Sequence, residues 1–388
     1  MRYVSRAILV ILALVLLSVP VRAAEDDPAM AGFVPPTYAL AMVTGIVDEK
    51  VVPTDMGTTW SQRVRIRFLN GERKGEEVSV DHGGEIQVQG QQKVRKGERV
   101  VVVGVDSPDG TTYYIADTYR LGRVAWIAAL FMALVMLLGQ WKRGAGSILG
   151  LLASIGILLL WVVPRVVAGE NALWTAITGS IALAVVTLYL AHGFRARTSI
   201  ALVGMLLTLA AAALLSLAFV SFAHLHGNGS EDAFYLQAGP TAALDLRGIL
   251  LAGVLIGVLG VLDDITTGTA AAVEEIHAAN NRLSRRELFR RGLSVGREHI
   301  ASLVNTLALA YVGASFPLFL LLTTNNPQPL WSVANSERIS EEIIRTLVGS
   351  TALLLAVPLT TALAAWWFSR QRTQNVLEER IDKPTTRR

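Results

Sequence analysis

The chain has 388 residues, 52% of them hydrophobic, with a mean hydropathy of +0.46 and a formal net charge of +4. It is too apolar for an ordinary soluble domain, and much of its arginine sits in short loops between apolar runs, which is a topology signal and not a nucleic-acid surface; no nucleic acid is expected as a partner. Cysteine is absent, which excludes disulfides, thiolate metal sites and cysteine nucleophiles.

Residues 1–24 read as a signal peptide or an uncleaved signal anchor. Arg2 and Arg6 precede an apolar stretch from Ala7 to Val19, and Val21-Arg-Ala23 supplies a small-residue cleavage site. Residues 25–37 mix acidic residues and prolines as a linker. From 38 to 120 the pattern changes to a period of two: Arg63-Val-Arg-Ile-Arg-Phe alternates cleanly, Glu77-Val-Ser-Val and Glu85-Ile-Gln-Val-Gln follow, and Arg99 to Val105 reads as a buried strand. Asn70-Gly71, Gly83-Gly84 and Pro108-Asp-Gly110 provide the turns. Five or six short strands predict a small extracytoplasmic all-β domain, an OB-like barrel. Its expected role is to bind a protein or ligand.

The region 121–369 predicts an α-helical integral membrane bundle, followed by a cytoplasmic tail from 370 to 388. Apolar runs of about 17 to 25 residues match a hydrocarbon core roughly 30 Å thick. About seven transmembrane helices are expected, at 124–139, 145–163, 172–191, 198–222, 246–270, 299–322 and 342–368. Trp141-Lys-Arg143, Phe194-Arg-Ala-Arg197, the arginine-rich segment Arg282 to Arg297 and the tail all fall on one side, while the opposite loops are poor in Lys and Arg. The positive-inside rule makes the arginine-rich side cytoplasmic and puts the β domain outside, as the signal sequence also requires. The localisation that follows is a cell membrane, crossed several times.

Asp263 and Asp264 break this apolar pattern. They close a glycine-spaced run beginning at Gly248, and a charge at the bilayer centre costs about 2.5 to 3.5 kcal/mol on insertion scales. On a continuous helix, Asp264 and Glu275 lie eleven residues apart and about 20° out of alignment. Asp263 and Glu274 share that relation. Gly268, Ala271 and Ala272 lie between them, and Gly253-x-x-x-Gly257 is a further small-residue packing signal. The next span begins with Glu298, His299, Ser302, Asn305 and Thr306. A short connection makes the two spans antiparallel neighbours, so Asp263, Asp264, Ser302 and Asn305 are expected to meet as an ion- or proton-coupling cluster. Glu274, Glu275, His277, Glu298 and His299 form a secondary polar cluster nearer the cytoplasmic surface.

Several chemistries fit the pair. Two adjacent carboxylates in a low dielectric tend to hold one proton between them, which makes a proton carrier. The same oxygens can hold a hard cation such as Mg2+ or Na+, with Asn305 as a neutral ligand. A purely structural role, capping a break in the helix against Asn305 or Thr306, is equally consistent with the residues. No cofactor is required by the sequence. His224-x-His226, near Glu231 and Asp232, offers a zinc-ligand spacing in a flexible loop. No hydrolase elbow, P-loop, HExxH or dinucleotide fingerprint is present, so an enzyme is not expected.

Two strings carry a family resemblance: Gly257-Val-Leu-Gly-Val-Leu-Asp-Asp-Ile-Thr-Thr-Gly-Thr-Ala-Ala-Ala-Val-Glu-Glu-Ile and Gly296-Arg-Glu-His-Ile-Ala-Ser-Leu-Val-Asn-Thr-Leu-Ala-Leu-Ala-Tyr-Val-Gly-Ala-Ser-Phe-Pro. With the layout of hydrophobic segment, β region and helical bundle, the chain resembles the YibE/F-like family of bacterial multi-span membrane proteins over most of 120–370. The resemblance implies an integral membrane protein and assigns no catalytic residue. The residues themselves favour a permease moving a small solute or ion, coupled at Asp263 and Asp264. The alternative is a non-transporting assembly or signalling protein whose outer β domain binds a partner.

Overall fold

The computed structural model describes residues 36–54, 57–83, 93–107, 110–139, 141–238, 244–317, 320 and 329–381. The expected signal segment, the linker up to residue 35, the expected strand at Glu85 and the end of the tail lie outside them. The chain divides into two compact units, with the boundary between Leu134 and Val135.

The first unit is a curled antiparallel half-barrel of five strands: β1 (Thr37–Thr54), β2 (Gly57–Phe68), β3 (Glu77–Gly83), β4 (Arg99–Ser107) and β5 (Gly110–Thr118), in the order β3-β2-β1-β4-β5. The long β1 pairs with β4 through its first third, Thr37 to Met42, and with β2 through most of its length, with register shifts at Val43/Gly45 and Ile46/Asp48. Such irregularities bend a strand, which is how one strand serves both halves of the curl. The alternation in β2 is realised as written: Val64, Ile66 and Phe68 enter a core with Ala41, Val43, Val80, Val94, Val100, Val102 and Ile115, while the arginines between them face out. Arg63 pairs with Asp81 and Arg67 with Glu77 across the register, each at 2.7 Å.

Two polar residues of β2, Thr59 and Gln62, are buried in this unit. Gln62 is 1% exposed; its Oε1 accepts from the Val94 N–H at 3.0 Å, and its Nε2 donates to the Val94 carbonyl at 3.4 Å and to Glu49 Oε2 at 3.0 Å. The Lys93 ammonium, and then Gln62, hold the Glu49 carboxyl below its usual value. Gln62→Ala strips both Val94 backbone groups of their partner, at a cost of about 1–3 kcal/mol. Hydrogen exchange on the full chain should show the Val94 amide losing protection; unchanged exchange there would contradict this assignment.

The helices follow: α1 (Leu121–Leu138), α2 (Trp141–Ile157), a π-helical turn (Leu158–Val162), α3 (Val163–Val167), α4 (Ala172–His192), α5 (Ala196–Phe222), α6 (Glu231–Ala238), α7 (Leu246–Ala279), α8 (Arg285–Ala314), α9 (Leu330–Ala334) and α10 (Glu337–Ile381). Six stretches are long and apolar enough to cross a membrane: Leu121–Leu138, Gly144–Val167, Ala172–His192, Ala196–Phe222, Leu246–Ala279 and Glu337–Arg370. They coincide with six of the seven expected spans. The seventh, 299–322, extends beyond the described residues. Its described part continues α8, which starts back at Arg285 with Ser284 and Glu287 in a reciprocal capping box, and the arginine-rich segment is therefore helical.

Within the span Gly144–Val167 the π-helical turn directly precedes Pro164. Val163 donates to the Leu158 carbonyl, five residues back, so the helix widens where proline supplies no donor. α7 is the centre of the bundle, packed on α4, α5, α8 and α10. Leu255, Leu262, Ile265, Val258 and Val254 are all but fully buried there. Two buried threonines inside the spans bond to their own helix: Thr266 Oγ1 donates to the Leu262 carbonyl and Thr208 Oγ1 to that of Gly204, each at 2.8 Å.

Candidate functional site

α7 runs unbroken from Leu246 to Ala279, so the aspartate pair caps no helix break. Asp263 is half-buried. Its Oδ1 is buried and has no hydrogen-bond partner among the described residues. Asp264 points away from the packed face and lines a cavity of about 200 Å3 with Thr267 and Gly268 of α7, His192 at the end of α4, and Arg197 and Thr198 at the start of α5. Thr198 Oγ1 is a second buried oxygen without a partner among the described residues.

Asp264 therefore faces the junction of α4 and α5. α8 does pack beside α7 as expected, but Ser302 and Asn305 are exposed on it, and no hydrogen bond joins either to Asp263 or Asp264 among the described residues. Thr306 bonds back to the Leu303 carbonyl of its own helix at 3.0 Å. The expected meeting of the two polar helix ends is not made in this structure.

The secondary cluster is divided in the same way. Glu274 ion-pairs with Arg197 at 3.1 Å, so a single arginine lines the Asp264 cavity and holds the carboxylate nearly three turns further along α7. Glu275 and Glu298 are exposed. The His277 ring stacks on Phe368 at 5.9 Å, with a buried Nδ1 that has no partner among the described residues. The His299 side chain lies outside the described residues. Sequence reasoning read Arg197 only as a topology signal and passed over His192, although a histidine and an arginine flanking one short interhelical turn are the signal that could have raised both.

The small residues along α7 also have a different use from the one expected. An added Cβ at Gly268 would meet nothing within 4 Å, and the same is true of Gly253; Gly257 comes near only the Tyr311 hydroxyl, at 3.3 Å. Gly268 opens a hollow in front of Asp264, and the Gly253/Gly257 spacing is not a tight helix seam.

The loop between α5 and α6 is organised by a carboxylate. The backbone N–H groups of His226, Gly227 and Asn228 all donate to Glu337 Oε1. Among the described residues no three His, Asp or Glu side chains converge as metal ligands, so the His224/His226 pair gains no third ligand there.

Neither a curated protein nor a solved structure matches the chain. A family model does: it is described as YibE/F-like protein and covers residues 127–370, which takes in α7, α8 and every residue lining the Asp264 cavity. With six membrane-length apolar helices and that match over more than half of its length, the chain belongs to the YibE/F-like family and is a multi-pass membrane protein.

Proposed function

We propose that the protein is a permease that moves a small solute or ion across the bilayer, coupled to protons or a cation at Asp263 and Asp264. The observation that carries this reading is the Asp263 Oδ1 atom, buried in the interior of a span with no donor among the described residues. A carboxylate oxygen in that setting needs a proton or a cation to complete it. Asp264, one residue on, opens into the cavity shared with His192 and Arg197, which gives the pair an aqueous approach and a second titratable group.

In this reading the arginine-rich loops are cytoplasmic and the aspartates lie toward that side. Ser302 and Asn305 form part of the polar route along α8 and do not ligate the coupling ion. The half-barrel is an extracytoplasmic, OB-like module that binds a protein or ligand. Glu274 is neutralised by Arg197 and keeps the cavity wall in place.

The test is flux in proteoliposomes holding the full chain and a trapped pH dye, with imposed H+, Na+ and K+ gradients. Wild-type protein should conduct at least one of these ions. Asp263→Asn and Asp264→Asn should each fall to the level of empty liposomes, with normal insertion and an unchanged elution profile. Wild-type flux in both variants would sink the coupling role.

A further inference from the structure

A larger cavity, of about 470 Å3, lies at the Leu246 end of α7, away from the aspartates. Leu246, Ile249 and Leu250 give it an apolar wall, the start of α10 brings Arg338, Glu341, Glu342 and Arg345 to it, and α6 brings Asp232. These charges are not equivalent: Arg338 pairs with Glu231 at 3.8 Å. Glu342 and Arg345 are ion-paired one turn apart on α10. Glu341 is only 7% exposed; its Oε1 accepts the Gly229 N–H at 3.0 Å, and no cationic side chain pairs with it among the described residues. One neutral donor leaves the charge of a buried carboxylate uncompensated, and burying such a charge unpaired costs several kcal/mol or more.

The enclosure is held in a defined shape. Three consecutive N–H groups from His226 to Asn228 clamp Glu337, one turn before Glu341, and the next N–H in the chain reaches Glu341 itself. Gly227 has φ +86° and sits against the Leu246 carbonyl, where an added Cβ would come to 2.3 Å. The loop is thereby pressed onto the ends of both α7 and α10.

We propose that this cavity binds a small organic solute bearing a primary ammonium group, its nitrogen on the Glu341 carboxylate and its carbon body against Leu246, Ile249 and Leu250. An ammonium brings one positive charge and three donors, which is what Glu341 lacks. The volume falls within the range of roughly 300–1,000 Å3 usual for small-molecule sites. A hard divalent cation would ask for six or more oxygens, a set the described residues do not converge to give. The assignment does not depend on transport or on the aspartate pair.

Calorimetric titration of the full chain in detergent with methylammonium, ethanolamine and putrescine tests it, with ethylene glycol as the uncharged counterpart of ethanolamine. At least one amine should bind and the glycol should not. Glu341→Gln, which keeps an acceptor for the Gly229 N–H, should weaken amine binding about tenfold or more, a difference of about 1.4 kcal/mol. Gly253→Leu should weaken it similarly by filling the cavity from α7, where an added Cβ has open space. The proposal is overturned if no amine binds, if the glycol binds as well as ethanolamine, if both variants keep wild-type affinity, or if Na+ or Mg2+ binds at Glu341 in place of the amine. Because this readout is binding, it can succeed where the flux assay fails, or fail where that assay succeeds.

Discussion

Gly268→Leu should stop flux as completely as Asp264→Asn while leaving the bundle folded. Gly268 stands one turn along α7 from Asp264 and lines the same cavity, and a Cβ built there meets nothing within 4 Å. A leucine side chain therefore enters the hollow without displacing a neighbour. Helix propensity moves in the favourable direction, since glycine is about 0.8–1.0 kcal/mol worse than alanine in a helix interior. No charge changes, so the substitution separates the cavity from the carboxylate chemistry. Proteoliposome flux falling to the empty-vesicle level, with an unchanged melting temperature in detergent, is the expected result. Wild-type flux would show that ions reach Asp263 and Asp264 by another route, and His192 and Arg197 would lose their place in the mechanism.

The architecture was readable from the residues where one physical signal dominated. Alternation in Arg63–Phe68 predicted which side chains enter the half-barrel, because a pleated strand turns every second residue inward. The apolar runs placed six of the seven expected spans on membrane-length helices, with α7 running nine residues further than expected, because a span must satisfy both a length and a hydropathy condition. Asp263 and Asp264 stood out for the same reason, as charges where the bilayer tolerates few.

Their partners were not readable. The expected meeting with Ser302 and Asn305 rested on chain proximity, and α8 does return beside α7. Proximity says nothing about rotation. Apart from its few charged residues α7 is apolar or small around its circumference and is contacted by four helices, so its apolar residues set no azimuth, unlike a helix with one apolar stripe. The face carrying Asp264, Thr267 and Gly268 is turned to His192, Arg197 and Thr198, residues 66 or more positions earlier in the chain. Glu341 was hidden for another reason. Its neighbours Glu337, Arg338, Glu342 and Arg345 look like the solvated first turns of a helix, and only the loop folded over them reveals that one of the acids is buried.

Gly204→Val should have the largest effect on stability, preventing α5 and α10 from packing. A Cβ at Gly204 would lie 2.4 Å from Thr360 Oγ1, 3.2 Å from its Cβ and 3.3 Å from its Cα. Thr360 is fully buried, and because its Cβ and Cα also lie within 3.3 Å of the added atom, a change of χ1 does not clear the contact. Relief must come from moving a helix. Met205 and Leu209 on α5, with Ala356 and Val357 on α10, belong to the same buried cluster, and any separation opens gaps among them. Alanine at this position should cost about 1–3 kcal/mol, the usual range for overpacking, and valine more. Close approach through small residues matters particularly here, since between lipid-embedded helices it is packing and not water exclusion that holds the pair together. Thermal unfolding in detergent should show a lowered midpoint for Gly204→Ala and little monodisperse protein for Gly204→Val. Gly268→Leu, on the central helix α7 against which α5 packs, is the control, because it adds a larger side chain where there is open space. If Gly204→Val instead melts with the wild type, the contact between α5 and α10 is looser than these distances require, and the packing account fails at its tightest point.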